Sequence, residues 1–221
     1  MSKPLKVIIV AGGKGERMNA DIPKQFIEIK GKPILMYSLE AFSKFNSEIE
    51  LILVLPTSQI EFWKILCNLH NFNVVHRIVE GGSTRFESVK NGLEKIDIPA
   101  LVAIHDGVRP LVSYETISNC FDAAKKFEAV VPVIDLVDSI RHISQNANSA
   151  TDRKAYKLVQ TPQIFDAELL KKAYCQEFST LFTDDASVVE ALGVKIHLVN
   201  GNVENIKITT EHDLKIASAL I

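Results

Sequence analysis

At 221 residues, 47% of them hydrophobic and 24% charged, the chain has the length and apolar content of one globular domain with an ample core, and too little length for a second full one. Its formal charge of −2 provides no global basic field, which argues against nucleic acid as a partner and leaves any polyanion to a local cluster of Lys and Arg. Cys67, Cys120 and Cys175 are odd in number and widely spaced, fitting neither a disulfide framework nor a CxxC motif, and Val7–Val10 is too short for a signal or membrane segment. A cytoplasmic protein with no membrane partner is expected.

The first strand, Leu5–Ala11, runs into a glycine-rich turn. Helical apolar spacing then covers Pro33–Phe45, followed by a strand at Leu51–Leu55, a helix at Gln59–His70, a strand at Val74–Val79 and a helix at Thr84–Lys95. Leu101–His105 reads as a strand, Tyr114–Phe127 as a helix capped by Ser113, and Ala129–Val133 as another strand. This alternation predicts an α/β domain, a mostly parallel sheet with flanking helices joined by right-handed crossovers. After Val133 the rhythm changes. Asp135–Ile143 and Lys154–Gln160 read as two strands around the polar stretch Ser144–Ser149, either a protruding β-arm at about 135–160 or an ordinary solvated excursion. A two-stranded ribbon is marginal alone, and a second copy of the chain would supply its packing partner. Helices at Asp166–Phe178 and Asp184–Leu192, extended segments at Lys195–Val199 and Asn205–Thr209, and a helix at Glu211–Leu220 complete the chain.

The turn Ala11-Gly12-Gly13-Lys14-Gly15-Glu16-Arg17-Met18 leaves the carboxyl edge of the first strand, where an α/β sheet normally meets its ligand and glycines let backbone N–H groups approach phosphate. Met18 stands where a dinucleotide fingerprint wants Gly or Ala, and no Gly-Lys-Ser/Thr of a P-loop appears. Arg17 and the pair Pro23-Lys24 bring two cations near the loop, which suits a triphosphate; a tight turn with surface charges is the bland alternative. Asp106, in His105-Asp106-Gly107-Val108-Arg109-Pro110, closes a strand at the same edge and offers the hard oxygen that Mg²⁺ or another divalent cation wants, although an Asp at a strand end is often a cap or turn former. Gly81-Gly82-Ser83-Thr84-Arg85-Phe86-Glu87-Ser88 closes a strand and opens a helix, offering glycines, a hydroxyl and free N–H groups.

Taken together, Ala-Gly-Gly-x-Gly-x-Arg-Met, Pro-Lys-Gln, His-Asp-x-x-Arg-Pro, Asp138-Ser139-Ile140, Asp152-Arg153, Gln160-Thr161-Pro162-Gln163, Thr183-Asp184-Asp185-Ala186 and Asn205-Ile206-Lys207-Ile208-Thr209 resemble, in order, the motifs of the 2-C-methyl-D-erythritol 4-phosphate cytidylyltransferase family. The resemblance runs from about Val7 to Ala219 and implies a single Rossmann-like nucleotidyltransferase domain over residues 1–221. Three small departures are Gly12, where relatives carry Ala, Gly107-Val108, where they carry Ala-Ala, and Ser139, where they carry Thr, which keeps the hydroxyl but loses a methyl.

The resemblance further implies that CTP lies against Ala11, Gly12, Gly13 and Gly15, with its base and ribose near Gly82, Ser83, Arg85 and Ser88. Arg17, Lys24 and Lys207 would act on the reacting phosphates and Asp106 would hold the metal. Arg109, Ser139 and Arg153 would bind the phosphate of a small polyol, Ser139 and Arg153 reaching it from the arm of the other subunit of a homodimer. The implied reaction joins CTP to 2-C-methyl-D-erythritol 4-phosphate with release of pyrophosphate, a step of the non-mevalonate isoprenoid pathway. A D-ribitol-5-phosphate cytidylyltransferase shares the same nucleotide motifs and is the alternative. His105 receives a structural role, since a phosphate nucleophile is already ionised and needs no base. A regulatory module with a lost site would have lost Arg17, Lys24, Asp106 or Lys207, and all four are present. An NAD-linked dehydrogenase is disfavoured by Met18 and by Leu55-Pro56, which offers no acid for a ribose.

Overall fold

Branched apolar residues in an unbroken run have no polar face to turn to water, so such a strand must be covered on both sides. Leu5–Val10 (β1) is such a run, and it occupies the interior of the sheet. The computed structural model describes residues 3–13, 22–145 and 147–221; Gly15 and Arg17 lie outside the described residues. After β1 come a 3-10 turn at Lys24–Phe26, the short pair β2 (Glu28–Ile29) and β3 (Lys32–Pro33), α1 (Ile34–Phe45), β4 (Glu50–Leu55), α2 (Thr57–Leu69), β5 (Arg77–Glu80), α3 (Arg85–Leu93), β6 (Leu101–Asp106), α4 (Tyr114–Ala124) and β7 (Ala129–Asp135). The second part holds β8 (Ile140–Ser144), β9 (Ala147–Thr151), β10 (Lys157–Val159), β11 (Gln163–Asp166), α5 (Ala167–Ala173), α6 (Asp185–Glu190), β12 (His197–Asn200) and α7 (Glu211–Leu220).

The main sheet runs β10-β7-β11-β6-β1-β4-β5, with β12 also paired to β7. β1 is parallel to both β4 and β6, β4 to β5 and β12 to β7, while β10 and β11 run antiparallel to their neighbours. Alternate residues of β1 face opposite layers. Val7 and Ile9 pack with Leu39 and Phe42 of α1, Trp63 of α2 and Phe121 of α4. Ile8 and Val10 pack on the other face with Val89 and Leu93 of α3, Leu170 of α5 and Val188 of α6. The expected α/β architecture is therefore present, with helices on both faces.

Local capping chemistry sets several helix starts. Ser113 accepts from the Thr116 N–H at 3.0 Å, as the sequence suggests, and Thr84 accepts from the Glu87 N–H at 3.1 Å. Asp184 and Thr210 each close a capping box, with Ser187 and Asp213 as the returning partners.

The arm departs from its expected bounds. Asp135 still belongs to β7, and β10 pairs back onto β7 through Leu158↔Ile134 and Val159↔Val133, so both ends of the expected arm sit in the main sheet. The ribbon that leaves the body is β8–β9, paired from Ile140↔Thr151 to Ser144↔Ala147. Asn148 and Ser149, expected in the loop, are strand residues, because an exposed ribbon has no buried face to demand apolar side chains. The strand expected at Val74–Val79 is Arg77–Glu80, since its sheet neighbour among the described residues, β4, meets it at Ile52–Leu55. The helix expected at Asp166–Phe178 spans only Ala167–Ala173, with Asp166 as its cap, and Gln163–Asp166 forms an antiparallel strand that the apolar pattern does not distinguish from the helix start. The expected extended segment Asn205–Thr209 joins no ladder; Ile208 N–H donates to the Val108 carbonyl at 3.0 Å, and its side chain is buried with Ile34 and Val108.

Close layer contact is visible at Gly92 of α3, where an added Cβ would lie 2.9 Å from Ile8 Cγ2 and 3.2 Å from Val54 Cγ2. Gly92→Leu overpacks this interface and lowers the unfolding free energy by about 1–3 kcal/mol or more, despite better helix propensity. Urea titration followed by circular dichroism measures the change; an unaltered midpoint would contradict the packing described.

Candidate active site

Parallel strands end together, so their carboxyl termini gather side chains that are distant in sequence. Val10 and Asp106 are register partners at the ends of β1 and β6. Beyond β1, Ala11 N–H donates to the Val54 carbonyl at 3.0 Å, and beyond β5, Gly81 N–H donates to the Leu55 carbonyl at 2.8 Å. The loops Ala11–Gly13 and Gly81–Thr84 therefore leave the same edge that carries Asp106.

Asp106 is buried, with three cations on its carboxylate. Lys207 Nζ lies 3.0 Å and Arg109 Nε 3.2 Å from Oδ2, and Arg85 Nε stands 3.7 Å from Oδ1. Burial by itself raises the pKa of this carboxyl; the charges of Arg85, Lys207 and Arg109 outweigh it and hold the group ionised, well below the usual carboxylate range. Arg109 is locked in turn, donating from Nη1 to the Asn205 carbonyl at 2.7 Å. Arg85 makes a two-point pair with Asp185 at 2.9 and 2.7 Å.

His105 faces away from this cluster. Its Nε2 lies 3.1 Å from the Arg109 carbonyl, which can only accept, so Nε2 carries the proton and Nδ1 accepts from the Thr161 hydroxyl at 3.0 Å. Thr161 Oγ1 accepts the Asp106 N–H at 3.1 Å. This relay fixes the Asp106 backbone, and burial pushes His105 down to about 4, so the imidazole is neutral at pH 7.

Two cavities meet at this cluster. The first, about 250 Å³, is lined by Gly12, Gly13, Lys24, Gly82, Ser83 and Ser88 among others, Ala11 included; the second, about 300 Å³, takes Arg109, Gln160, Thr161, Gln163, Thr183 and Asp184. Arg85, Asp106 and Lys207 line both. A larger open groove of about 950 Å³ beside His70 and Arg77 contains none of the residues singled out by sequence. At Gly13 an added Cβ would lie 3.3 Å from Lys24 Cε, so the glycine makes room for the lysine chain; at Gly12 it would meet only the Pro56 ring at 4.0 Å, so Ala is sterically equivalent there. Ser88 Oγ accepts the Gly82 N–H at 3.1 Å, shaping the loop.

The cluster thus unites Ala11, Gly12, Gly13, Lys24, Gly82, Ser83, Arg85, Ser88, Asp106, Arg109 and Lys207. Ser139 and Arg153 line neither cavity; both are exposed, and Arg153 donates to the Val137 carbonyl at the base of the ribbon. Among the described residues no three His, Cys, Asp or Glu side chains converge on a metal cage, and no helix is long and apolar enough to cross a membrane. Sequence reading gave no site role to Gln25, which is buried and donates to the Ala11 carbonyl at 2.7 Å and to Gln59 Oε1 at 2.6 Å, or to Asp185. Its place beside Lys24 was a signal for the first; nothing in spacing signals the second, whose partner is far away in the chain.

The model of the family described as 2-C-methyl-D-erythritol 4-phosphate cytidylyltransferase matches residues 5–221. The chain belongs to this family. A protein of that name from Bacteroides thetaiotaomicron is 57% identical over 215 residues, covering 97% of this chain and 98% of its own. Another, from Porphyromonas gingivalis, is 48% identical over 222 residues, covering 100% and 99%. The crystal structure of 4-diphosphocytidyl-2C-methyl-D-erythritol synthase from Anaerococcus prevotii superposes with a TM-score of 0.84 at 32% identity, covering 99% of this chain and 96% of that one. The Thermus thermophilus cytidylyltransferase gives 0.79 at 31% identity, covering 99% and 98%. Likeness over whole chains, in sequence and in structure, makes this family member a mostly parallel α/β nucleotidyltransferase.

The neutral burial of His105 has a measurable consequence. Its folded pKa, about 4, lies below the ordinary 6.5, so the unfolded chain takes up the proton first and stability present above pH 6.5 is lost as pH falls toward 4. The slope approaches about 1.4 kcal/mol per pH unit. Urea unfolding at several pH values in this window should show a flatter dependence for His105→Gln than for the natural chain, His76 being common to both; equal slopes would mean that His105 is not buried neutral.

Proposed function

We propose that this chain transfers a cytidylyl group from CTP to 2-C-methyl-D-erythritol 4-phosphate, releasing pyrophosphate, as a step of non-mevalonate isoprenoid synthesis. The observation that carries the reading is the wall of Asp106, Lys207 and Arg85 shared by two cavities, one glycine-lined with Lys24 and one holding Arg109, each with three cations among the described residues, so that two phosphorylated substrates can face each other across it. In the first cavity the backbone of Ala11, Gly12 and Gly13 receives CTP, and Gly82, Ser83, Arg85 and Ser88 take its base and ribose; the same nucleotide-binding role is proposed for Gly15.

An oxygen of the acceptor phosphate attacks the α-phosphorus in line. The new P–O bond forms as the bond to the bridging oxygen breaks, pyrophosphate leaves with the bonding pair, and no proton moves because the phosphate is already ionised. Lys24, Lys207 and Arg17 stabilise charge on the α-phosphate and the leaving group, and Arg109 holds the acceptor phosphate. Asp106 supplies one hard carboxylate oxygen, a donor set that fits Mg²⁺ or another divalent cation taking its remaining ligands from triphosphate oxygens and water. When bound, such an ion neutralises phosphate charge and polarises the phosphoryl group.

Ser139 and Arg153 act from the ribbon of a second copy in a homodimer. Support comes from the ribbon's exposure on all sides and from the exposed Val137, Ile143 and Tyr156 at and near it, which a partner would cover. The three cysteines are free, consistent with a cytoplasmic location.

Purified protein with CTP and Mg²⁺ should release pyrophosphate with 2-C-methyl-D-erythritol 4-phosphate and not with D-ribitol 5-phosphate; the reverse preference would move the enzyme to polyol-phosphate activation. Lys24→Ala and Lys207→Ala should each cost about 10²–10³-fold in kcat in a chain that still melts cooperatively, with a lowered midpoint for Lys207→Ala because it removes a cation from buried Asp106. Active-site sharing is tested by mixing. Inactive Lys207→Ala and Arg153→Ala chains, refolded together, should recover about a quarter of the natural activity through heterodimers with one intact site, and no recovery would place both residues in one subunit's site.

A further inference from the structure

Asp185 is a fully buried carboxylate that the reaction above leaves unused. It opens α6, next to the capping Asp184, and both its oxygens are engaged. Oδ1 accepts from Arg85 Nη1 at 2.9 Å and from the Tyr174 hydroxyl at 2.6 Å, and Oδ2 accepts from Arg85 Nη2 at 2.7 Å. Tyr174 is itself 2% exposed and stacked on Phe86 with ring centroids 4.6 Å apart, so the carboxylate is held from α3, α5 and α6 together.

The guanidinium it grips lines both cavities and carries a third donor, Nε, 3.7 Å from Asp106 Oδ1. That is too long for a hydrogen bond. A guanidinium free to turn this close to a buried carboxylate would close on it, because charge-assisted pairs settle at about 2.7–2.9 Å. Asp106 Oδ2 is already occupied by Lys207 and Arg109, so Oδ1 is the oxygen whose availability depends on where Arg85 goes. Two-point binding to a planar fork fixes both position and orientation, which a single contact does not.

We propose that Asp185 is a positioning residue for cytidylyl transfer: by gripping both terminal nitrogens of Arg85 it holds that guanidinium beside Asp106 without letting it close, and so keeps Asp106 Oδ1 open to the metal–nucleotide side. This deepens the functional reading above and rests on Asp106 being the carboxylate that meets Mg²⁺ and CTP. A purely structural Asp185 would affect nucleotide binding equally with and without metal. A clamp on Arg85 acts mainly on the metal-dependent part, with only the small metal-free loss that a shifted Arg85 brings at the base and ribose, and acts through Arg85.

Calorimetric titration of CTP into the full chain, with and without Mg²⁺ and with no acceptor present, separates these roles without turnover. In the natural chain Mg²⁺ should strengthen CTP binding. Asp185→Asn offers the fork one neutral acceptor and should erase about ten-fold or more of that gain, while affinity for CTP alone changes less than about three-fold. In an Arg85→Gln background the same substitution should change neither value beyond about two-fold, because the group it positions is gone. Equal losses with and without Mg²⁺, or an undiminished effect in the Arg85→Gln background, would overturn the proposal. Should Asp185→Asn fail to melt cooperatively, Asp185→Glu, which keeps the charge but displaces it by one methylene, must also reduce the Mg²⁺ gain, and an unmoved gain rejects the clamp. If the natural chain itself shows no Mg²⁺-dependent CTP binding, the functional reading falls and the clamp falls with it, whereas a normal wild-type response with unmoved variants removes the clamp alone.

Discussion

The site depends on a charge balance around one buried carboxylate. Asp106 at the end of β6 has lost its water, and an isolated ion so placed would protonate or unfold the edge of the sheet. It stays ionised because Lys207, Arg109 and Arg85 arrive from three separate stretches of chain. The two arginines are themselves tied down, Arg109 by the Asn205 carbonyl and Arg85 by Asp185. The loops that end the parallel strands are therefore drawn to one point by electrostatics as well as by hydrogen bonding along the sheet. A polyanionic substrate then finds cations already gathered and oriented, although the chain as a whole is slightly acidic.

The sheet makes that arrangement possible. Parallel β1, β4, β5 and β6 put every carboxyl terminus on one side, and the core beneath them is dense enough that the loops have a fixed platform. His105 continues β6 into this platform without facing either cavity, passing its constraint through Thr161 to the Asp106 N–H. Its neutral state is a product of burial, and its use is geometric. The antiparallel strands β10 and β11 bring Gln160, Thr161 and Gln163 to the second cavity from the far half of the sheet, and the two cavities meet where β6 ends.

Much of this was legible in the residues themselves. Glycines after β1 and β5, an Asp that ends β6, an Arg just beyond it and a Lys near the C-terminus were chosen from local pattern and family resemblance, and the cluster unites them. The strands buried on both faces were recognisable because nothing in Val7–Val10 or Leu51–Leu55 could face water. Where a segment is exposed, the same logic fails: β8 and β9 bury no face, so their polar composition says neither where the ribbon starts nor where it turns. The segment carrying Lys207 looks like a strand from its alternation, yet it joins no ladder: separate bonds from Ile208 N–H to the Val108 carbonyl, from Arg109 to the Asn205 carbonyl and from the Asn205 side-chain amide to the Thr161 carbonyl hold it, with the burial of Ile208. Alternation reports which side chains are buried and is silent on what the backbone pairs with.

By itself the amino-acid sequence determined the α/β class, the glycine loops, the identity of the charged groups and, through their order, the family. These are properties of local periodicity and of residue chemistry, which act over a few positions along the chain. Only the tertiary structure decided which charge meets which. Arg85 could have paired with Asp106 or Asp185, and Lys207 with any carboxylate at the sheet edge, because Coulomb attraction depends on distance in space and carries no information about separation along the chain. The packing of α3 against α5 and α6 brings Asp185 within reach of Arg85 Nη1 and Nη2, leaves Arg85 Nε at 3.7 Å from Asp106, and so distinguishes a clamped cation from a closed ion pair.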